Sequence, residues 1–190
     1  MKIAIVGFGS IGQRHYRNLT ALGHEIFVYE PDASKIKERG AKALASFDKK
    51  SLECFDSVFI CSPTHLHLQQ ARVALSARVP MFIEKPLAHT LRGVAPFVRA
   101  VQQQKLVTMV GCNMRFHSSL QFFESYVRAG KLGKIYNMDF EFGYYLPHWR
   151  PNTDYRKNYA AKRSTGGGII LDDIHEFDLL FWFNDFLKIK

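Results

Sequence analysis

The stretch "KIAIVGFGSIG", residues 2–12, decides the fold. Lys2 to Val6 form a short run rich in β-branched and apolar residues, which suits a buried strand. Gly7, Gly9 and Gly12 follow at G-x-G-x-x-G spacing, and a helical stretch continues to about Leu22. Each glycine has a physical task in such a turn. Gly7 permits the sharp bend, Gly9 lets backbone approach a pyrophosphate, and Gly12 lets helix and strand pack closely. Ser10 and Ile11 open the helix, where free N–H groups and the positive dipole end attract phosphate.

The next strand, "EIFVYE" (25–30), ends on Glu30. An acid about 20 residues beyond the glycines is placed to hold a ribose 2′-hydroxyl. A carboxylate there repels a 2′-phosphate, so the expected cofactor is NAD rather than NADP. The plainer reading is an acid that only ends a strand before Pro31. Arg14 and Arg17 are further candidates for phosphate contact.

Beyond this unit the chain keeps alternating. We expect a polar helix over 32–39, a strand over 57–63, a helix over 65–77, a strand over 79–86, a helix over 90–104 and a strand over 106–111. Strands alternating with helices imply βαβ units and a parallel sheet. Continuous apolar strands imply that both faces are covered. The expected class is therefore α/β, with an N-terminal doubly wound domain over residues 1–114.

The pattern changes afterwards, and residues 115–190 read as part of a second domain. Residues 116–129 look helical. In "YNMDFEFGY" (136–144), Tyr136, Met138, Phe140, Phe142 and Tyr144 alternate with polar residues, as in a strand with one wet face. A polar loop over 146–165 then leads into "TGGGIILDDIHEFDLL" (165–180), read as one helix over 169–187 with titratable groups on an apolar background.

Composition narrows the function. The 190 residues are 47% hydrophobic and 23% charged, a globular balance. No apolar run reaches the ~18 residues needed to span a bilayer. The N-terminus lacks a signal-peptide pattern. Three cysteines (Cys54, Cys61, Cys112) form no disulfide or metal pattern, so a reduced cytoplasmic setting is expected. The net charge is +9, with most of the excess before residue 115. No long basic run exists, so a phosphate-bearing small molecule ranks above nucleic acid. His65 and His67 stand two apart at a helix start, which points their rings apart, and no metal site is expected.

Ligands in open α/β sheets bind at the carboxyl ends of strands. Ser62, Pro63, Thr64 and His67 in "CSPTHLH" (61–67) are therefore candidates to line the nicotinamide end. In "FIEKPLA" (82–88), Glu84 and Lys85 end another strand before Pro86. A lysine there is a usable proton donor if desolvated; the plain alternative is a surface lysine beside a glutamate.

"GFGSIGQRH", "CSPTHLHL", "IEKPLA", "VGCNMRF" and "GGGIILDDIHEFDLL" occur in the order seen in the Gfo/Idh/MocA oxidoreductases, which this chain resembles over essentially its whole length. The resemblance implies an N-terminal Rossmann domain and a C-terminal α/β domain with an open, mostly antiparallel sheet, here partial. It implies NAD(P)-dependent hydride transfer at a hydroxyl or keto carbon of a sugar, cyclitol or nucleotide-linked sugar. Lys85, Asp172 and His175 carry over as catalytic positions. Glu84 and Lys85 border the cofactor, and Asn113 and Arg115 match the pocket side.

The family commonly spaces the acid and histidine as D-x-x-x-H, whereas Asp172 and His175 are D-x-x-H. Counting from the glycines puts Glu176 at the histidine position; counting from Asp178 keeps His175. On one helix, Asp172, His175 and Glu176 would share a face. In the loop, Arg150, Arg156, Lys162 and Arg163 are candidates for a substrate phosphate, with Tyr155 and Tyr159 beside them; a merely solvated loop is the alternative. Family members continue well past this helix. The apolar side of 136–144 would then lack cover here, which favours a homo-oligomer, a dimer or tetramer, through the second-domain sheet. The rival reading is a catalytically inactive dinucleotide-binding module or a fragment of a longer enzyme.

Overall fold

A computed structural model describes the chain except residues 37–39, 150–153, 158–160 and 185–190. It divides into two compact units, Met1–Gly111 with Arg163–Gly166, and Cys112–Lys162 with Gly167–Lys190.

The first unit is built from β1 (Lys2–Val6), α1 (Ser10–Ala21), β2 (Glu25–Tyr29), β3 (Lys42–Ala43), α2 (Lys49–Leu52), β4 (Ser57–Ile60), α3 (Thr64–Ser76), β5 (Met81–Ile83), α4 (Val94–Gln104) and β6 (Thr108–Val110). The strands form one sheet in the order β3-β2-β1-β4-β5-β6, and every pairing is parallel. The chain steps outward from β1 in one direction and returns in the other from β4, so the order reverses between β1 and β4.

Alternation along β1 explains the layers. Ile3 and Ile5 join one buried cluster with Tyr16 and Leu19 of α1 and Ile26 and Val28 of β2. Ala4 and Val6 join the other, with Val58 and Ile60 of β4, Ala71, Ala74 and Leu75 of α3, and Phe97 of α4. Each buried Ile, Val or Leu contributes roughly 1.5–3 kcal/mol of transfer free energy. Helices α1 and α3 therefore lie on opposite faces of the sheet.

The helix expected over 32–39 is replaced, in its described part, by a 3-10 turn at Ala33–Lys35. The cause is local: the Asp32 carboxylate accepts hydrogen bonds from Ser34 N at 3.2 Å and Ser34 Oγ at 2.6 Å. A side chain that bonds its own backbone competes with a helix.

The second unit contains a 3-10 turn (Asn113–Phe116), α5 (Ser118–Arg128), α6 (Leu146–Trp149), α7 (Ile169–Asp172) and α8 (Ile174–Phe183). Residues 136–144 form no strand, contrary to expectation. A strand needs a neighbour to take its backbone groups, and among the described residues of this unit none is present. The alternation still has a packing role. Met138, Phe140 and Phe142 line a cleft of about 380 Å³ with Ile169, Phe177 and Leu180. The single helix expected over 169–187 is also corrected. It breaks at Asp173 (φ −105°, ψ 41°) into α7 and α8. Aspartate is a weak former of helix interiors, and Asp173 sits at the start of α8 in a non-helical conformation without a side-chain capping bond. No described helix is long and apolar enough to cross a membrane.

Candidate functional site

The carboxyl ends of β1, β4 and β5 gather the first set of candidates. Gly7 lies in the left-handed region (φ +87°), and a Cβ on it would stand 2.6 Å from backbone atoms of Ser62. The turn after β1 thus presses against the turn after β4. A Cβ on Gly12 would meet the Gly7 carbonyl at 2.1 Å, so α1 starts directly over the turn. Gly9 differs: a Cβ there meets nothing within 4 Å among the described residues. The backbone at Gly9 borders open space at the start of a twelve-residue helix, which is the cradle a pyrophosphate requires. Gln13 Nε2 donates to the Phe8 carbonyl at 3.1 Å and steadies the loop.

Glu30 ends β2 beside this loop. Its Oε2 accepts from the Phe8 N–H at 2.9 Å, and its Oε1 accepts from the Asp32 N–H at 3.2 Å. Lys35 Nζ lies 3.6 Å from Oε1. The acid is thus tied to the glycine turn rather than merely ending a strand. These residues fit a dinucleotide: open backbone for the phosphates, a helix start behind it, and a fixed carboxylate for the ribose.

Ser62 and Pro63 border the end of β4, and Ser62 Oγ donates to Gln70 Oε1 at 2.5 Å. His67, expected to line the nicotinamide end, is 1% exposed. Its Nδ1 stands 2.8 Å from the Pro86 carbonyl and its Nε2 2.7 Å from the Ser62 carbonyl. Its place is under the two loops, not on their surface. Burial, acting most strongly, lowers its pKa below 6.5 against the opposing pull of the two carbonyls and Glu84. Lys85 is half-buried at the end of β5. Glu84, just before it, takes His15 Nε2 at 2.7 Å.

His15 is a residue that the motif reading passed over. It stands one turn inside α1, three residues after Gly12, and its ring packs on Phe59 and Phe82 at centroid distances of 5.3 and 5.1 Å. Gly111 was also missed; a Cβ on it would come within 3.0 Å of the Phe82 ring and 3.3 Å of Glu84 Oε2, so the glycine leaves room for both. Burial pushes the Cys61 thiol well above its usual pKa, with Glu84 adding to the effect, which makes it a packing group. Gly166, first of the three consecutive glycines, belongs to this unit and fits against Thr64 and His89 (Cβ contacts of 2.9 and 3.0 Å), so a protein neighbour fills the room there.

The second unit holds the remaining candidates. Asp172 ends α7, while His175 and Glu176 lie in the first turn of α8, all half-buried. The break at Asp173 removes the regular i, i+3 and i+4 relation expected between Asp172 and the other two. Glu176 Oε2 is buried beside the apolar cleft with no hydrogen-bond partner among the described residues. Asn113 is exposed in the 3-10 turn. Arg115, expected to face a substrate, grips Asp178 with both ends of its fork, Nε to Oδ2 at 2.8 Å and Nη2 to Oδ1 at 2.5 Å. That hydrogen bonding, more than the charge of Asp178, raises its pKa. Its guanidinium also stacks over Trp182. Arg156 is exposed and bonds Asp154, and Tyr155 adjoins it. Arg150 and Tyr159 lie outside the described residues. Among the described residues, no group of three His, Cys, Asp or Glu could hold a metal ion.

Comparison with known proteins fits this geometry. The chain is 30% identical over 189 residues to the uncharacterized oxidoreductase YrbE of Bacillus subtilis, covering 92% of this chain and 51% of that protein. It is 28% identical over 188 residues to myo-inositol 2-dehydrogenase of Thermotoga maritima, covering 94% and 53%. Scyllo-inositol dehydrogenase from Lactobacillus casei, solved with bound NAD(H) and scyllo-inositol, superposes with a TM-score of 0.76 at 25% identity, over 96% of this chain and 56% of that one. The chain spans about half the length of the curated relatives it matches. Residues 1–112 match the family described as "Oxidoreductase family, NAD-binding Rossmann fold". With the glycine turn after β1, the acid after β2 and the lysine after β5 all at the carboxyl ends of the parallel strands, the chain belongs to the Gfo/Idh/MocA oxidoreductases.

Proposed function

We propose that this chain serves an NAD-dependent oxidoreductase that interconverts a hydroxyl and a keto carbon on a sugar, cyclitol or nucleotide-linked sugar. The observation that carries the reading is the position of Lys85. It lies two residues beyond β5, two strands from the glycine turn, at the carboxyl ends of the strands, where the open backbone of Gly9 and the carboxylate of Glu30 fit a dinucleotide. The relatives named for inositol dehydrogenation support a ring carbinol as the reacting group.

Bound NAD supplies the hydride acceptor or donor. The protein's residues do the rest. Gly7, Gly9, Ser10, Ile11 and Gly12 take the pyrophosphate, Glu30 takes the ribose, and Ser62, Pro63 and Glu84 border the nicotinamide. Lys85 hydrogen-bonds the reacting oxygen and stabilises negative charge on it. His175 moves the hydroxyl proton, and Asp172 orients the substrate or that histidine. Asn113, Arg150, Tyr155 and Arg156 are assigned to the substrate, with Arg115 supporting them through its grip on Asp178. An open, mostly antiparallel second sheet, self-association through it and a cytoplasmic location complete the reading.

The test is NAD(H) turnover across a panel of inositols, free sugars and nucleotide sugars, with Lys85→Met and His175→Ala beside the parent. Each substitution should lower turnover at least ~100-fold and change NADH affinity little. Wild-type turnover in Lys85→Met would overturn the assignment. Tight NADH binding with no turnover of any carbinol would instead favour a binding module.

A further inference from the structure

The geometry points to a two-histidine bracket around Lys85, in which His15 and His67 are positioning residues for its ammonium. The inference rests on the reading of Lys85 as the group at the reacting oxygen. Both neighbours of Lys85 in the chain are held by imidazoles, and the two come from opposite faces of the sheet.

On one side, α1 delivers His15. Its Nε2 meets Glu84 Oε1 at 2.7 Å, and the pair is only 18% and 14% exposed. Phe59 and Phe82 flank the ring, so it has little freedom to leave the carboxylate. On the other side, α3 delivers His67 from the opposite core cluster. Its Nδ1 meets the Pro86 carbonyl at 2.8 Å. Its Nε2 stands 2.7 Å from the Ser62 carbonyl, so the ring is wedged between the β5 turn and the β4 turn; a neutral imidazole carries one N–H and donates it to one of the two carbonyls. The chain immediately before and after Lys85 is thereby fixed, and the starting point of its side chain with it.

The arrangement also has a direction. His15 rides on the helix whose first turn borders the Gly9 cradle. Any adjustment of α1 to a pyrophosphate reaches Glu84, and so the backbone at Lys85, through one contact. A residue that only fills space would not need a particular nitrogen. These two do, because each contact uses a specific ring atom.

That atom specificity supplies the test. An Asn amide reaches about as far as Nδ1 and a Gln amide about as far as Nε2. His67→Asn should keep the Pro86 contact and His67→Gln should lose it. His15→Gln should keep the Glu84 contact and His15→Phe should lose it. The readout is the position of the Lys85 Cε–Hε signal at one fixed pH, followed by NMR with 13C at lysine Cε and assigned through Lys85→Arg. His67→Gln and His15→Phe should move that signal from its place in the parent, while the two contact-keeping variants stay near it. Turnover should fall about tenfold in the contact-losing variants with NADH affinity within about threefold. Equal signal positions in His67→Asn and His67→Gln, or in His15→Gln and His15→Phe, would overturn the bracket. If the buried His67 variants fail to fold, the His15 pair decides alone. The NMR readout does not depend on turnover, so failure of Lys85 as a catalytic group would show separately, as wild-type activity in Lys85→Met.

Discussion

Replacing Gly9 and Gly12 by alanine, one at a time, separates a loop built for a ligand from a loop built only for packing. At Gly9 the backbone is extended (φ −70°, ψ −169°), a conformation any residue adopts. The added methyl meets no atom of the described residues within 4 Å. The folding cost is therefore small, at most ~1 kcal/mol, from the weaker N-cap preference of alanine. At Gly12 the methyl would sit 2.1 Å from the Gly7 carbonyl, more than an ångström inside ordinary contact. Helix α1 must then move off the turn, at about 2–3 kcal/mol. For a chain of this size that lowers Tm by roughly 5–10 °C. Cofactor binding should rank the two variants differently. The Gly9 methyl stands where a pyrophosphate must approach, so Gly9→Ala should weaken NADH at least ~10-fold, about 1.4 kcal/mol, with Tm almost unchanged. Paired thermal melts and NADH fluorescence titrations decide the matter. Wild-type NADH affinity in a folded Gly9→Ala protein would refute the cradle, and a wild-type Tm in Gly12→Ala would refute the packing argument.

Three further outcomes follow from the same structure. Arg115→Ala leaves the largely buried Asp178 carboxylate without its fork and should cost ~1–3 kcal/mol; Arg115→Lys should recover little, since a lysine cannot make the two-pronged contact, and a urea-melt cycle with Asp178→Ala would expose an additive, uncoupled pair if the reasoning is wrong. Cys54 is exposed whereas Cys61 is buried with a raised pKa, so alkylation at pH 8 followed by mass spectrometry should label Cys54 first and Cys61 only on unfolding; early label on Cys61 would contradict the burial. The pKa of His67 is lowered below 6.5 by burial, so as pH falls the unfolded chain takes the proton first and stability declines below about pH 6.5; replacing His67 by Asn should flatten that part of the stability–pH curve, and an unchanged slope would show that other groups set it.

The first unit was legible because its signals are local and redundant. A β-rich run, three glycines at fixed spacing and an acid one strand later mark a turn, a helix start and a carboxylate beside that turn within thirty residues. Their alternation with apolar strands is enough to imply a parallel sheet. Contacts between distant side chains were not legible. Nothing around His15 announces that it meets Glu84, and His67 looks like a site residue until both its nitrogens are seen on carbonyls. Arg115 is likewise expected on the pocket side, and nothing near it in the sequence points to its partner Asp178, which lies in another helix. In the second unit, periodicity identified the apolar side of 136–144 correctly enough to place Met138, Phe140 and Phe142 on one cleft, but periodicity cannot supply the neighbouring strand that would make a ladder. The break at Asp173 was hidden because an aspartate at a helix start and one inside a helix read alike.

The fit of Gly166 against Thr64 and His89 has a consequence for the order of assembly. All six strands of the parallel sheet are encoded before residue 111, so the sheet is available early as the chain emerges. The piece that closes over the start of α3 comes from roughly fifty residues further downstream than the last strand, and contacts of such long separation form late. A nascent chain therefore completes the floor of its cofactor domain first. The rim beside Thr64 is finished only when the glycine-bearing segment has been made and has returned to it.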